Sequence, residues 1–196
     1  MSVILASSSP FRKAILEKLC IDFKTASPDI DEKRNNGEPP FNLVTRLSKE
    51  KALEIAKSHS GLIIASDQVA TLGSGNNDND EIFTKPGSHE NAFLQLKKSS
   101  GKTITFLTGL ALLNTETLKI QTHVELFKVT FKQLSDKQIL SYLNKEDVLN
   151  CAGSFKSEGL GIALFSNMKG NDPSSLIGLP TIQHIKMLAK ENVHIL

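Results

Sequence analysis

The chain has 196 residues, 39% hydrophobic and 22% charged, with 12 glycines and 7 prolines; this excludes disorder, collagen-like repeats and a simple coiled coil, and bounds the molecule at one domain or two tightly joined lobes. Lys and Arg number 23 against 21 Asp and Glu, a formal net charge of +2, too weak for a domain that binds nucleic acid by dense counterion release. No apolar run is long enough to span a bilayer and the only cysteines, Cys20 and Cys151, lie far apart without zinc spacing, so a cytoplasmic chain with reduced thiols is expected.

Residues 3–6 form a short apolar run that suits a buried strand, and Ser7-Ser8-Ser9-Pro10 supplies a cap and a first-turn proline for a helix over 10–19 with Ala14, Ile15 and Leu19 inward. Asp29, Asp31 and Glu32 then make an acidic turn. A second helix is expected over 42–58, with Val44, Leu47, Ala52 and Ile55 on one stripe, Lys51 in the middle of it and Leu53 pointing away. Residues 62–65 read as a second buried strand, followed at once by Ser66-Asp67-Gln68. The Gly, Ser, Asn and Asp of residues 73–81 cannot form an apolar core and predict a mobile loop. Asp78 stands there where a dinucleotide fingerprint needs its third glycine.

Ser88 caps a short helix to residue 98. Gly101-Lys102-Thr103 is no phosphate-binding P-loop, because Leu96 replaces the required glycine and a strand follows. Long strands are expected over 103–113 and 118–131 with a hairpin at 114–117. Ser135 and Gln138 form a capping box for a helix ending near 145. A glycine-rich stretch at 153–161, a strand at 162–165 and a last helix opening at Pro180 complete the chain. Strand and helix alternate only at the start, which favours a mixed sheet over a fully parallel one.

Each polar cluster has a plain structural account beside a chemical one. The serine run is most simply an N-cap, yet hydroxyls and free N–H groups at a positive helix end, with Arg12 one turn in, also make a phosphate cradle. Asp29, Asp31 and Glu32 read as a solvated turn, although hard divalent cations need such oxygen clusters. Asp67, flanked by apolar residues, needs a cation or hydrogen bonds to offset desolvation and is either a structural ion pair or an active-site acid. Lys51 either snorkels or points its ammonium into a phosphate site. Lys85 alone says little, and Glu158 in its glycine-rich stretch reads as a surface residue.

Taken together the clusters resemble the Maf family of nucleoside triphosphate pyrophosphatases, through Leu5-Ala6-Ser7-Ser8-Ser9-Pro10-Phe11-Arg12, Asp31-Glu32, Leu47-Ser48-Lys49-Glu50-Lys51-Ala52, Ser66-Asp67-Gln68-Val69, Thr84-Lys85-Pro86 and Gly178-Leu179-Pro180. The stretch Cys151-Ala152-Gly153-Ser154-Phe155-Lys156-Ser157-Glu158-Gly159, with Gln68 after the aspartate, looks like the branch acting on 7-methyl-GTP. The resemblance covers essentially the whole chain and implies a single domain over 1–196 with an α/β fold. That fold is a long twisted mixed sheet flanked by helices, with two lobes around a cleft. It also implies hydrolysis of the α–β phosphoanhydride to the monophosphate and diphosphate. By position, Asp67 matches the proton acceptor, and Phe11, Gln68 and Glu158 fall where base specificity is set. Ser8, Arg12, Lys51 and Lys85 match the positions around the triphosphate. Glu32 and Asp67 match those that help hold a divalent cation, Mg2+ with Mn2+ as the alternative. A nucleoside triphosphate is the implied partner, with no nucleic acid and no membrane, and a homodimer is a family expectation. Two departures stand out: Thr84 replaces the glycine usual before Lys-Pro, and the 73–81 loop is longer than usual. Two rival readings are a pyrophosphatase for another modified or ordinary nucleotide and a non-catalytic nucleotide sensor in cell-division control.

Overall fold

The computed structural model describes all 196 residues. Its first half runs β1 (Val3–Ala6), α1 (Pro10–Glu17), β2 (Phe23–Ala26), α2 (Pro40–Ala56), β3 (Leu62–Leu72), β4 (Glu81–Phe83) and α3 (His89–Ser99). The second half runs β5 (Thr103–Asn114), β6 (Lys119–Phe131), α4 (Asp136–Leu143), β7 (Phe165–Gly170), α5 (Ser174–Ile177) and α6 (Thr181–Lys190). One seven-stranded sheet has the order β2-β1-β3-β5-β6-β7, with β4 beside β3. β1 pairs in parallel with β2 and β3 and every other pairing is antiparallel. The mixed sheet expected from the sequence is therefore present.

Local chemistry explains most of the boundaries. Ser9 caps α1 by accepting from the Arg12 N–H at 3.4 Å, and Pro10 occupies the first turn. The helix ends at Glu17, two residues earlier than expected, and the chain leaves through Cys20 at φ 54°. Its inward face carries Ile15 and Leu16, with Leu19 half-buried. Ala14 is exposed, contrary to expectation, because it stands about 100° from Ile15 and about 200° from Leu16, off the face that those two share. Helix α2 buries Val44, Leu47, Ala52 and Ile55 as the stripe predicts, together with Lys51, and leaves Leu53 exposed. The capping box of α4 forms between Ser135 and Gln138.

Three elements went unmarked in the sequence: β2, β4 and α5 are only four, three and four residues long, too short for periodicity to register. The strand expected over 162–165 is instead a 3-10 turn over Leu160–Leu164, and β7 begins at Phe165. The 73–81 loop is exposed over most of its length, with Gly75 buried, and hydrogen bonds tie it to the body of the protein. Asp80 accepts from the Gly75 N–H at 2.6 Å, Thr105 donates to the Gly73 carbonyl at 2.8 Å, and Phe41 N–H donates to the Gly75 carbonyl at 2.9 Å. Arg34 donates to the Asp78 carbonyl at 2.7 Å, and Glu81 belongs to β4.

Side chains alternate across the sheet, so the two faces differ. On one, Ile63, Ala65, Ala111 and Leu113 meet Ala52 and Ile55 of α2, and Val69 and Leu107 meet Leu43, Val44 and Leu47. On the other, Leu62, Ile64, Leu110 and Leu112 pack with α1 and α6, while Ala70, Ile104 and Phe106 pack with α3 and α4. Polar Ser66, Gln68 and Thr108 separate these two apolar clusters. β5 pairs with β3 along almost its whole length, but on the opposite edge β1 stops at Ile64 and β4 starts at Ala70. The edge between them has no strand neighbour.

Candidate active site

A cleft of about 830 Å³ opens beside that interrupted edge. Ser8, Phe11, Arg12, Glu32 and Lys51 line it from the first third of the chain, and Asp67, Gln68, Lys85 and Glu158 line it from the rest. All nine residues matched by position to the family thus line one cavity, large enough for a nucleotide-sized ligand, whereas Asp29 and Asp31 of the acidic turn do not line it.

Asp67 lies within β3 and is 7% exposed. Its neighbour across the ladder is Gly109, and a Cβ there would stand 2.3 Å from the Val44 carbonyl oxygen. The missing side chain lets α2 settle against the sheet next to Asp67. One result is the placement of Lys51, 6% exposed, whose ammonium lies 2.6 Å from Asp67 Oδ1 and 2.9 Å from Glu32 Oε1. The pair offsets the desolvation that either ion would suffer alone. Glu32 reaches in from a segment without regular structure and is 59% exposed. That segment is held by Arg46 of α2, which donates to the Lys33 carbonyl at 2.9 Å and pairs bidentately with Glu38 at 2.8 Å through each contact. The double hydrogen bond holds the Glu38 carboxyl below its ordinary range.

Arg12 is fixed from two sides, with Nε donating to the Gly178 carbonyl at 2.9 Å and Nη1 to Ser7 Oγ at 3.3 Å. Ser66 Oγ lies 2.8 Å from the same Gly178 carbonyl and 2.7 Å from that of Gly109, with one proton to offer the two. Burial lowers the Arg12 guanidinium from its ordinary value, and the negative charges of Asp67 and Glu32 oppose that shift. Gly178 adopts φ 123°, a conformation that disfavours any side chain, and a Cβ would also press on Arg12 Nε at 3.3 Å.

Ser8 and Lys85 are exposed and their side chains bond no other group of the protein. Phe11 is half-buried on the cleft wall, Glu158 is exposed, and Ser157 Oγ donates to Glu158 at 3.3 Å. Gln68 turns its amide towards Thr108 and the α5 turn. Sequence reasoning passed over Ser7, Ser66, Thr108 and the Gly178 carbonyl as positioning groups. A backbone acceptor has no side-chain signature, although the Gly178-Leu179-Pro180 motif marked its location.

The donor chemistry is that of a hard divalent cation. Glu32 Oε1 and Asp67 Oδ1 both contact the Lys51 ammonium, the other oxygen of each carboxylate bonds no protein group, and no third His, Cys, Asp or Glu joins them. Two carboxylates suit Mg2+, which keeps water ligands and takes others from substrate phosphates.

Residues 2–191 match the family described as Maf-like protein. A protein of Pseudoalteromonas atlantica named 7-methyl-GTP pyrophosphatase is 53% identical over 195 residues, covering 100% of this chain and 97% of the relative. Proteins of the same name from Alcanivorax borkumensis and Colwellia psychrerythraea are 50% and 48% identical, covering 99% and 100% of this chain and 96% and 95% of their own. Among solved structures, a HAM1 protein from Coxiella burnetii shows a TM-score of 0.48 at 12% identity, covering 97% of this chain and 99% of its own. A dITP/XTP pyrophosphatase from Mycobacterium abscessus shows 0.45 at 14%, covering 98% and 95%. No helix is long and apolar enough to cross a membrane.

Proposed function

This chain belongs to the Maf family, and from that membership we propose that it hydrolyses 7-methyl-GTP to 7-methyl-GMP and diphosphate, acting on the nucleotide pool of the cytoplasm. The observation that carries the reading is near-full-length identity of 53% to a named 7-methyl-GTP pyrophosphatase. The convergence of all nine sequence-derived residues on one cleft supports it.

The reaction asks for charge neutralisation and an oriented water more than for covalent chemistry. The start of α1 receives the phosphates: Ser8 offers a hydroxyl beside the free N–H groups of a helix N-terminus, and Arg12 stands over it. Lys85, with no ionic partner of its own, adds a further cation to the cleft. Lys51 opposes the charge of Asp67 and holds that carboxylate in place. Asp67 accepts a proton from the water whose oxygen attacks the α-phosphorus, and the α–β phosphoanhydride bond breaks to release diphosphate. Glu32 and Asp67 would hold Mg2+, which supplies charge neutralisation at the phosphate oxygens. Phe11 offers an aromatic face and Glu158 a carboxylate to a base that methylation at N7 makes cationic.

Release of diphosphate from 7-methyl-GTP, GTP, UTP and dTTP by the purified protein with Mg2+ tests the reading. A kcat/KM highest for 7-methyl-GTP is expected, and preference for UTP or dTTP would overturn the substrate assignment.

A further inference from the structure

The face of the sheet that carries α5 is apolar at both ends and polar in the middle, where Ser66, Gln68 and Thr108 stand. There Gln68 Nε2 donates to Thr108 Oγ1 at 3.0 Å and to the Ser175 carbonyl at 2.7 Å, with the Leu176 carbonyl at 3.3 Å. The fully buried Thr108 hydroxyl donates its own proton to the Ser175 carbonyl at 2.9 Å, so towards Gln68 it only accepts. Both amide protons of Gln68 are thereby directed into the protein. Turning the amide over would set its oxygen against two carbonyl oxygens with no proton between them, at the full desolvation penalty of unmade hydrogen bonds. Yet Gln68 lines the cleft and is only half-buried. The oxygen Oε1 is the polar atom left to face it.

We infer that Thr108 is a positioning residue which, with the Ser175 carbonyl, fixes the Gln68 amide so that the cleft meets a hydrogen-bond acceptor and no donor. Glu158, on the same cleft, is likewise an acceptor when ionised. Two acceptors select a ligand edge rich in N–H donors, as the N1 and 2-amino groups of guanine present. The guanine rests on the proposed function. The sense of the amide does not.

Two measurements separate these. In the ligand-free protein, proton exchange at the Gln68 side-chain amide, read by NMR, is expected to be at least about tenfold slower than at exposed glutamines. Protection falls in Thr108→Val and returns in Thr108→Ser, which keeps the hydroxyl. With 7-methyl-GTP and 7-methyl-ITP, which lacks the 2-amino group, Thr108→Val lowers kcat/KM for the former roughly five- to tenfold, mainly through KM, and narrows the preference between them. Thr108→Ser restores both, and melting curves confirm that each variant is folded. Free exchange at Gln68 in the wild type, or unchanged discrimination in a folded Thr108→Val, overturns the inference. If neither methylated nucleotide is hydrolysed, the proposed reaction falls, and the exchange difference between the two Thr108 variants decides the positioning role alone.

Discussion

Asp67 and Lys51 are each nearly inaccessible, so changing one acts on stability as well as on chemistry. Asp67→Asn removes the base and one carboxylate of the cation pair, and turnover is expected to vanish while the circular dichroism spectrum is retained. The neutral amide leaves Lys51 with only the more exposed Glu32 as partner, so the melting temperature falls. Adding Lys51→Met to Asp67→Asn is expected to recover much of that loss without restoring activity. Near-wild-type turnover in Asp67→Asn would remove Asp67 from the mechanism. A second residue-scale effect lies in α6, where His184 is fully buried and neither ring nitrogen has a hydrogen-bond partner. Burial pushes its pKa from 6.5 down to about 4. The unfolded chain therefore takes up a proton that the folded chain refuses. Stability is unaffected above pH 6.5 and declines as pH falls from there towards 4, by about 3 kcal/mol from this residue. Urea unfolding of wild type and His184→Met at pH 7 and pH 4.5 checks it: the variant should lose distinctly less, and equal losses would refute it.

Among the elements, the contact between α2 and β5 sets the site most directly. Gly109→Ala would drive a Cβ into the Val44 carbonyl, which is backbone and can yield only if the helix moves. A loss of roughly 1–3 kcal/mol is expected from such overpacking. Activity should fall further than stability explains, because Lys51 rides on the displaced helix. Thermal melting and kcat measured together test this, and a fully active, destabilised variant would show that α2 does not set the Lys51 position. The same elements show what a sequence makes legible. The α2 stripe and the long β5–β6 hairpin were readable because each repeats one signal over many residues, and the α4 capping box because its two partners, Ser135 and Gln138, stand only three residues apart. The residue types at Asp67 and Lys51 marked a buried charge each, while their pairing depended on a register between α2 and β3 that no local pattern encodes. The ties of the 73–81 loop were hidden for a related reason, since the backbone carbonyls of Asp78, Gly75 and Gly73 accept from Arg34, Phe41 and Thr105, all distant in sequence. Assigning a role to Lys85 or Glu158 needed the family motifs, because neither residue has a local feature to set it apart.

Across the whole molecule, two apolar clusters share one sheet face and are divided by a polar band, and opposite that band the outer edge of β3 lacks a neighbour between Ile64 and Ala70. Ladder bonds to β5 alone carry β3 through this interval, so the sheet has a crease there, a line along which bending disturbs the fewest hydrogen bonds. A ligand seated in the cleft is expected to cover this open edge, because Asp67, Gln68 and Val69 line the cleft. Backbone amides between Ala65 and Val69 that point away from β5 are expected to exchange with solvent quickly in the free protein and slowly once a nucleotide is bound, while those bonded to β5 stay protected throughout. Hydrogen exchange with and without 7-methyl-GTP reads this directly, and identical rates in both states would mean that the crease is rigid already. The place where the sheet leaves itself unfinished is thus also where the cleft reaches the strand itself, at Asp67, Gln68 and Val69.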